Sequence, residues 1–121
     1  MVVEYKEADD IRQRALFLAS KHGLNWLDFD RIHFYRYYCK TNTMAKCSGF
    51  SKVLQLPKQH IGPYYVLTFN EYHFNSTKTQ QEIDNTIIHE LLHIPKTFSG
   101  EFSSMAHKNV HKLANILSKQ Y

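Results

Sequence analysis

Two histidines and a glutamate stand together in the run His89-Glu90-Leu91-Leu92-His93. On an α-helix, residues four apart lie on one face, so the imidazoles of His89 and His93 can bind the same metal ion. The carboxylate of Glu90 follows the first imidazole and can reach a water molecule at an open metal position. This H-E-x-x-H spacing predicts a site for one Zn²⁺ ion, with Glu90 as the general base that activates the water for hydrolysis.

A catalytic zinc of this kind takes three protein ligands and one open position, so a third side chain is needed. The candidates after His93 are His107, His111 and Glu101. On the helix predicted near the C-terminus, His107 lies about 60° from Val110, a member of the apolar stripe, whereas His111 lies about 100° away. His107 can therefore border the core and point into a cleft. We prefer it as the third ligand and keep the other two as alternatives.

The helix that must carry the histidine pair is marked at both ends. Thr79 and Glu82 have the spacing of a capping box, and Pro95 cannot continue a helix. Between them, apolar residues cover most of the helix circumference, which predicts a buried helix. Burying imidazole and carboxyl groups without partners would be costly, and a bound metal satisfies the two imidazoles.

The remaining elements are predicted from the spacing of apolar residues along the chain and from the residues that begin or end helices and strands. Apolar residues at helical spacing predict a first helix at 9–22, ended by Gly23, and a last helix from Ser103 or Ser104 to about residue 119. Trp26, in a connection, is expected to pack on the core. Alternating and β-prone runs predict three strands, at 31–38, 50–56 and 64–69, with 40–49 as a loop.

These elements predict an α+β domain spanning residues 1–121. Its expected order is an N-terminal helix, a small antiparallel three-stranded sheet, the active-site helix and a C-terminal helix. A chain of 121 residues suits one such domain.

Composition narrows the class of protein further. No apolar run approaches membrane-spanning length, and residues 1–10 are too polar and acidic for a secretory signal, so we expect a cytoplasmic protein without membrane contact. The formal net charge is +4, but the basic residues are scattered, which is typical of an ordinary basic surface. Cys39 and Cys47 are expected to be free thiols, as in a reducing compartment.

The segment 89–100, HELLHIPKTFSG, closely resembles the active-site segment of a family of small metallopeptidases from archaea, their viruses and phages. In that family, the helix with the first two ligands is followed by a proline, a glycine-containing loop and a further histidine. The resemblance extends less specifically upstream, through 64–74 and 36–56. It implies a compact zincin-like domain, one bound zinc ion and a peptide or protein substrate.

The layout is also similar to SprT-like and minigluzincin proteins. In SprT-like proteins the third ligand is a histidine a little over a dozen residues past the second, which corresponds to His107 here. Those proteins have a glycine after that histidine, where this chain has Lys108. The likeness to minigluzincins implies a glutamate ligand instead, which keeps Glu101 as an alternative.

Three functions fit the sequence. The main hypothesis is a zinc metallopeptidase, whose peptide substrate would add to a sheet edge near strand 64–69. The first alternative is an inactive metal-binding scaffold, which would not need Glu90. The second is a DNA-associated accessory protein, suggested by the positive charge and the aromatic run 33–38, although aromatics alternating along a strand are more often core than base-stacking surface. The sequence carries no signal of an oligomeric state.

Overall fold

The computed structural model describes residues 4–50, 64–74, 79–95, 98 and 107–118. Within them lie three α-helices, four strands and one 3₁₀ turn, so the predicted α+β class is confirmed. In chain order the elements are β1 (Lys6–Glu7), α1 (Asp9–Lys21), the 3₁₀ turn (Phe29–Arg31), β2 (Ile32–Tyr37), β3 (Ala45–Phe50), β4 (Tyr64–Asn70), α2 (Gln80–Leu92) and α3 (His107–Ser118).

The sheet has the order β1-β2-β4-β3 and mixed strand directions. The short β1 pairs antiparallel with β2, and β3 pairs antiparallel with β4, but β2 and β4 run parallel. The prediction of a small antiparallel three-stranded sheet was therefore wrong in strand number and in direction. The physical reason is the path of the chain between β2 and β4. The chain passes through the edge strand β3 before it returns to form β4, and only a long connection of this kind lets two neighbouring strands run parallel.

The position of β3 differs from the prediction as well. The strand lies at Ala45–Phe50, in the segment predicted as a loop, and most of the predicted strand 50–56 lies outside the described residues. The segment contains Lys46, Ser48 and Gly49, residue types that are common in loops, and for this reason the prediction was wrong. Cys47, however, is buried opposite Leu67 of β4, so cross-strand pairing and burial decide the conformation here.

The core lies between one face of the sheet and the helices. Alternate residues of β4 are fully buried, and those of β2 continue the same face, as the pleat of a strand requires. Trp26 packs against this core, as predicted. The buried apolar side chains from the sheet and α2 include Ile32, Phe34, Tyr65, Leu67, Phe69, Ile87, Ile88 and Leu91.

The helices agree more closely with the predictions than the sheet does. Helix α1 ends at Lys21, and Gly23 follows with a φ of +69°, which is the left-handed conformation that glycine adopts at helix ends. Within the described residues, no helix is both long and apolar enough to cross a membrane. Cys39 and Cys47 are free, as expected.

Candidate metal centre

Helix α2 carries the site, and its start is fixed by its own sequence. The Thr79 hydroxyl accepts a hydrogen bond from the Glu82 backbone N–H at 3.2 Å, and the Glu82 carboxylate accepts one from the Thr79 backbone N–H at 3.1 Å. This is the predicted capping box. The helix then runs 13 residues to Leu92, with His93 as its C-cap.

The two histidines of α2 face each other at the spacing of metal ligands. The Nε2 atoms of His89 and His93 are 3.2 Å apart, and the ring planes are inclined at 76°. Two imidazole nitrogens bound to one tetrahedral zinc, each about 2.0–2.1 Å from the ion, lie about 3.3–3.4 Å apart. Both rings are half-buried. The pair therefore fits the ligand geometry of a tetrahedral metal ion.

Glu90 completes a compact group with the two imidazoles. One ligand atom from each of the three side chains lies within 4.8 Å of the others, and among the described residues this is the group that could hold a metal ion. The Glu90 side chain is 7 % exposed, and burial raises the pKa of its carboxyl to about 7. Within the described part of the chain, no hydrogen bond or ion pair to this carboxyl occurs. A carboxyl in this state can take up and release a proton near neutral pH.

Strand β3 forms a wall beside the site. Thr86 of α2 donates a hydrogen bond to the Met44 sulfur at 3.4 Å, just before β3 begins. Further along, Cys47 faces Glu90: burial first, and then the charge of Glu90, raise the pKa of the Cys47 thiol to about 12. Because this thiol stays protonated at neutral pH, Cys47 is a neutral, apolar neighbour of the Glu90 carboxyl.

A second buried carboxyl on the same helix is in a different state. Asp84 is fully buried, and both of its oxygens accept hydrogen bonds from Arg14 of α1, at 2.8 and 2.7 Å. The Gln80 amide donates a third bond at 2.8 Å. This bidentate pair holds α1 against α2. We did not predict it, although a single aspartate within the apolar part of α2 was a usable signal.

The three candidates for the third ligand differ in where they lie. His107 is the first residue of α3, and His111 is one turn further on, but the side chains of both lie outside the described part of the structure. Glu101 lies in a segment outside it altogether. Helix α3 itself packs on α2, with Ala114 fully buried and the Asn85 amide hydrogen-bonded to Asn115. The histidine-bearing helix is therefore a neighbour of the site helix.

The aromatic run on β2 divides between the two faces of the sheet. Phe34 is buried and stacks near Phe69, with ring centroids 6.5 Å apart, whereas His33 on the opposite face is exposed. Part of the run is therefore core, and this arrangement gives the nucleic-acid hypothesis no support.

Residues 3–115 match the model of a family described as "Putative phage metallopeptidase". The chain belongs to this family. No curated protein and no solved structure matches the chain. Membership of the phage metallopeptidase family confirms the resemblance carried by residues 89–100, while the finer likeness to SprT-like and minigluzincin proteins stays a prediction. The His89–Glu90–His93 group gives this family member a place that could hold a metal ion.

Proposed function

We propose that the protein is a zinc-dependent peptidase in which Glu90 acts as the general base. The observation that carries this proposal is the state of Glu90, which is buried, raised in pKa and without a partner in the described residues, beside two imidazoles at ligand spacing. A carboxyl kept in this state lowers stability, so its presence calls for a chemical role. Membership of a metallopeptidase family supports peptide bonds as the substrate.

We propose His89, His93 and His107 as the three zinc ligands. The contact between Asn85 and Asn115 gives a reference point for the register of α2 against α3. His93 lies eight residues after Asn85, and His107 lies eight residues before Asn115. An antiparallel arrangement of the two helices would bring these two positions to the same level. The same register would bring His111, four residues before Asn115, level with His89, so our preference for His107 rests on its place beside the apolar stripe of α3.

The protein's own groups then have distinct tasks. Zinc, when bound, lowers the pKa of a bound water and polarises the scissile carbonyl. Glu90 accepts the proton of that water and passes it to the nitrogen of the leaving amine. The walls around Glu90, including Cys47, exclude bulk water and so strengthen the interaction of the carboxylate with the proton it takes up. His89 and His93 remain neutral ligands throughout.

The substrate strand is proposed to add to β3. The sequence had suggested the strand 64–69, but β4 pairs with β2 on one side and β3 on the other, so its backbone groups are already used. Among the described strands, β3 pairs only with β4, and none of them covers its second edge. It also lies against Glu90 through Cys47. A peptide hydrogen-bonded along this edge would pass the catalytic carboxyl.

An inactive metal-binding scaffold is the less favoured reading. A purely structural metal site gains nothing from a buried carboxyl that forms no bond within the described residues. The same carboxyl is the group a hydrolytic site requires.

The Glu90→Gln variant tests the proposal. We expect zinc-loaded wild-type protein to cleave a mixed peptide library and Glu90→Gln to lose activity by at least about 100-fold, because general-base catalysis contributes about that much or more. Zinc content should stay at one ion per chain in both. Glu71→Gln, at an exposed glutamate beyond β4, is the charge control and should keep full activity.

Two results would contradict parts of the proposal separately. Cleavage by Glu90→Gln at the wild-type rate would remove Glu90 as the base. A zinc content far below one in wild-type protein, even after refilling, would remove the metal. The same zinc assay applied to His107→Ala, His111→Ala and Glu101→Ala assigns the third ligand, since we expect only the first to lose the ion.

A further inference from the structure

The last turn of α2, which carries His93, is held weakly by the helix itself. The backbone N–H of His93 donates to the Glu90 carbonyl at 3.2 Å, and that of Ile94 to the Leu91 carbonyl at 3.1 Å. Both bonds reach three residues back instead of four, which is the tighter 3₁₀ pattern with poorer hydrogen-bond geometry. Helix ends of this kind fray. The position of His93 therefore depends on contacts from outside the helix.

Trp26 provides such a contact. Its indole Nε1–H donates a hydrogen bond of 3.0 Å to the backbone carbonyl of Ile94, across 68 residues of sequence. Ile94 is 1 % exposed, and carbonyls at a helix end have no donor within the helix. Pro95, which follows, brings no N–H of its own. The indole thus satisfies a buried carbonyl that would otherwise lose its interaction with water at a cost.

The hydrogen bond between Trp26 and Ile94 affects metal binding because the distances between ligand atoms in a metal site vary little. Ligand distances in metal sites are held within about 0.2 Å, and the two Nε2 atoms of the pair are already 3.2 Å apart. His89 lies inside the regular part of α2, whereas His93 is its C-cap. A small rotation of the last turn would move only the second imidazole and would spoil the spacing.

We infer that Trp26 is a positioning residue for the metal ligand His93. Its indole clamps the Ile94 carbonyl, and through it the last turn of α2, so that the two imidazoles are set at ligand spacing before the ion arrives. This inference rests on the proposed zinc function. A Trp26 that only filled space in the core would stabilise the metal-free and metal-bound proteins equally. A positioning Trp26 favours the metal-bound protein more.

The test compares Trp26→Phe with Leu24→Val. Phenylalanine keeps an aromatic ring but removes the indole donor, and Leu24→Val removes buried volume from the same connection without touching a hydrogen bond to α2. We expect Trp26→Phe to weaken zinc affinity by about 3- to 10-fold, the range for one net hydrogen bond, and Leu24→Val to stay within about twofold. The zinc-induced rise in Tm should shrink only in Trp26→Phe.

A second measurement uses the wild-type chain and does not depend on a variant that folds. Trp26 is the single tryptophan of the chain, so its indole N–H gives one assignable NMR signal. We expect this N–H to exchange slowly with solvent in the metal-free protein, because the hydrogen bond to Ile94 is formed before zinc binds.

Each outcome has a distinct meaning. Equal zinc affinity of wild type and Trp26→Phe, an equal loss in Leu24→Val, or an indole N–H that exchanges freely in the metal-free protein would overturn the positioning role alone. A wild-type chain that binds no zinc would overturn the proposed function and this inference together.

Discussion

Helix α2 holds two buried carboxyls, and they are in opposite states. Asp84 is fully buried and is paired in a bidentate manner with Arg14, whose side chain is 31 % exposed. Glu90, six residues later, is 7 % exposed and has no such partner within the described residues, so burial raises its pKa to about 7. One carboxyl is neutralised by a neighbour from α1, and the other is left available. Burial by itself therefore does not indicate a functional acid; the proposed role of Glu90 rests on burial without a partner in the described residues.

The comparison has a consequence for stability. Asp84 connects two helices and stabilises the fold as long as its arginine is present. Glu90 does the opposite, since its burial favours the protonated form and penalises the charged form at neutral pH. Helix α2 thus contains one carboxyl that stabilises the fold and one that destabilises it at neutral pH.

Removing the partner of Asp84 should give the largest loss of stability. In Arg14→Met, a fully buried carboxyl loses its cation, which costs about 3–5 kcal/mol for a broken buried pair; we expect the lower end because Arg14 is partly exposed. Urea denaturation of the metal-free protein measures it. Arg12→Met is the matched control, because within the described residues the Arg12 side chain of the same helix makes a single long bond, 3.4 Å to the Phe29 carbonyl. A control loss as large as that of Arg14→Met would show that the ion pair is not the cause.

Changing Glu90 to glutamine should stabilise the metal-free protein, and the size of this gain depends on pH. Below about pH 4.5 the carboxyl is protonated in the folded and the unfolded chain, so it carries no penalty. As pH rises from 4.5 to about 7, the unfolded chain releases its proton while the folded chain retains it, and stability is lost; above pH 7 the loss is constant. The full effect corresponds to about 3 kcal/mol.

We therefore expect the free energy of unfolding of metal-free Glu90→Gln, relative to the wild type, to be about 3 kcal/mol higher at pH 8 than at pH 4. Urea denaturation at both pH values, with a chelator present, measures this change. Because only the difference between the two proteins across pH is used, titrating groups far from Glu90 cancel, and the measured change belongs to Glu90 together with the neighbouring imidazoles. A difference that stays constant over this range would show that Glu90 is not shifted by burial.

The same carboxyl-to-amide change at Asp84 should give the smallest effect, as a loss. In Asp84→Asn the amide oxygen can still accept from one Arg14 donor and from Gln80, but the amide NH2 replaces the second acceptor and faces the other Arg14 donor, which can turn to water because Arg14 is partly exposed. We expect a loss of about 2 kcal/mol at pH 8, the value of one hydrogen bond between charged groups. Asp84→Asn and Glu90→Gln make the same chemical change, from a carboxyl to an amide. We expect the two variants to change the free energy of unfolding in opposite directions. Two changes of the same sign would remove the distinction between the carboxyls.

What the sequence predicted well was encoded locally. The start of α2 follows from Thr79 and Glu82, three residues apart, and its end from Pro95. The histidine pair needs only the helical period. For the same reason the spacing of His89 and His93 was available before any tertiary structure was known.

What the sequence did not reveal depends on distant partners. The strand at Ala45–Phe50 is specified by its pairing with β4, because its own residues resemble a loop. The parallel pairing of β2 with β4 depends on where β3 lies in the sheet. The Arg14–Asp84 pair and the bond from Trp26 to Ile94 join residues 70 and 68 positions apart. A single sequence can mark a residue that needs a partner, as it does for Asp84, but it does not name the partner.

The one-turn spacing of His89 and His93 also bears on the order in which the protein matures. Two ligands four residues apart enclose almost no chain, so bringing them together costs little loop-closure entropy once α2 has formed. The wall supplied by β3 lies about 40 residues upstream of His89, and the contact of Trp26 with Ile94 spans 68 residues, so both close much longer loops. The histidine pair is therefore local to α2, whereas full affinity for the proposed ion should be reached only when these distant parts of the chain have packed against the helix.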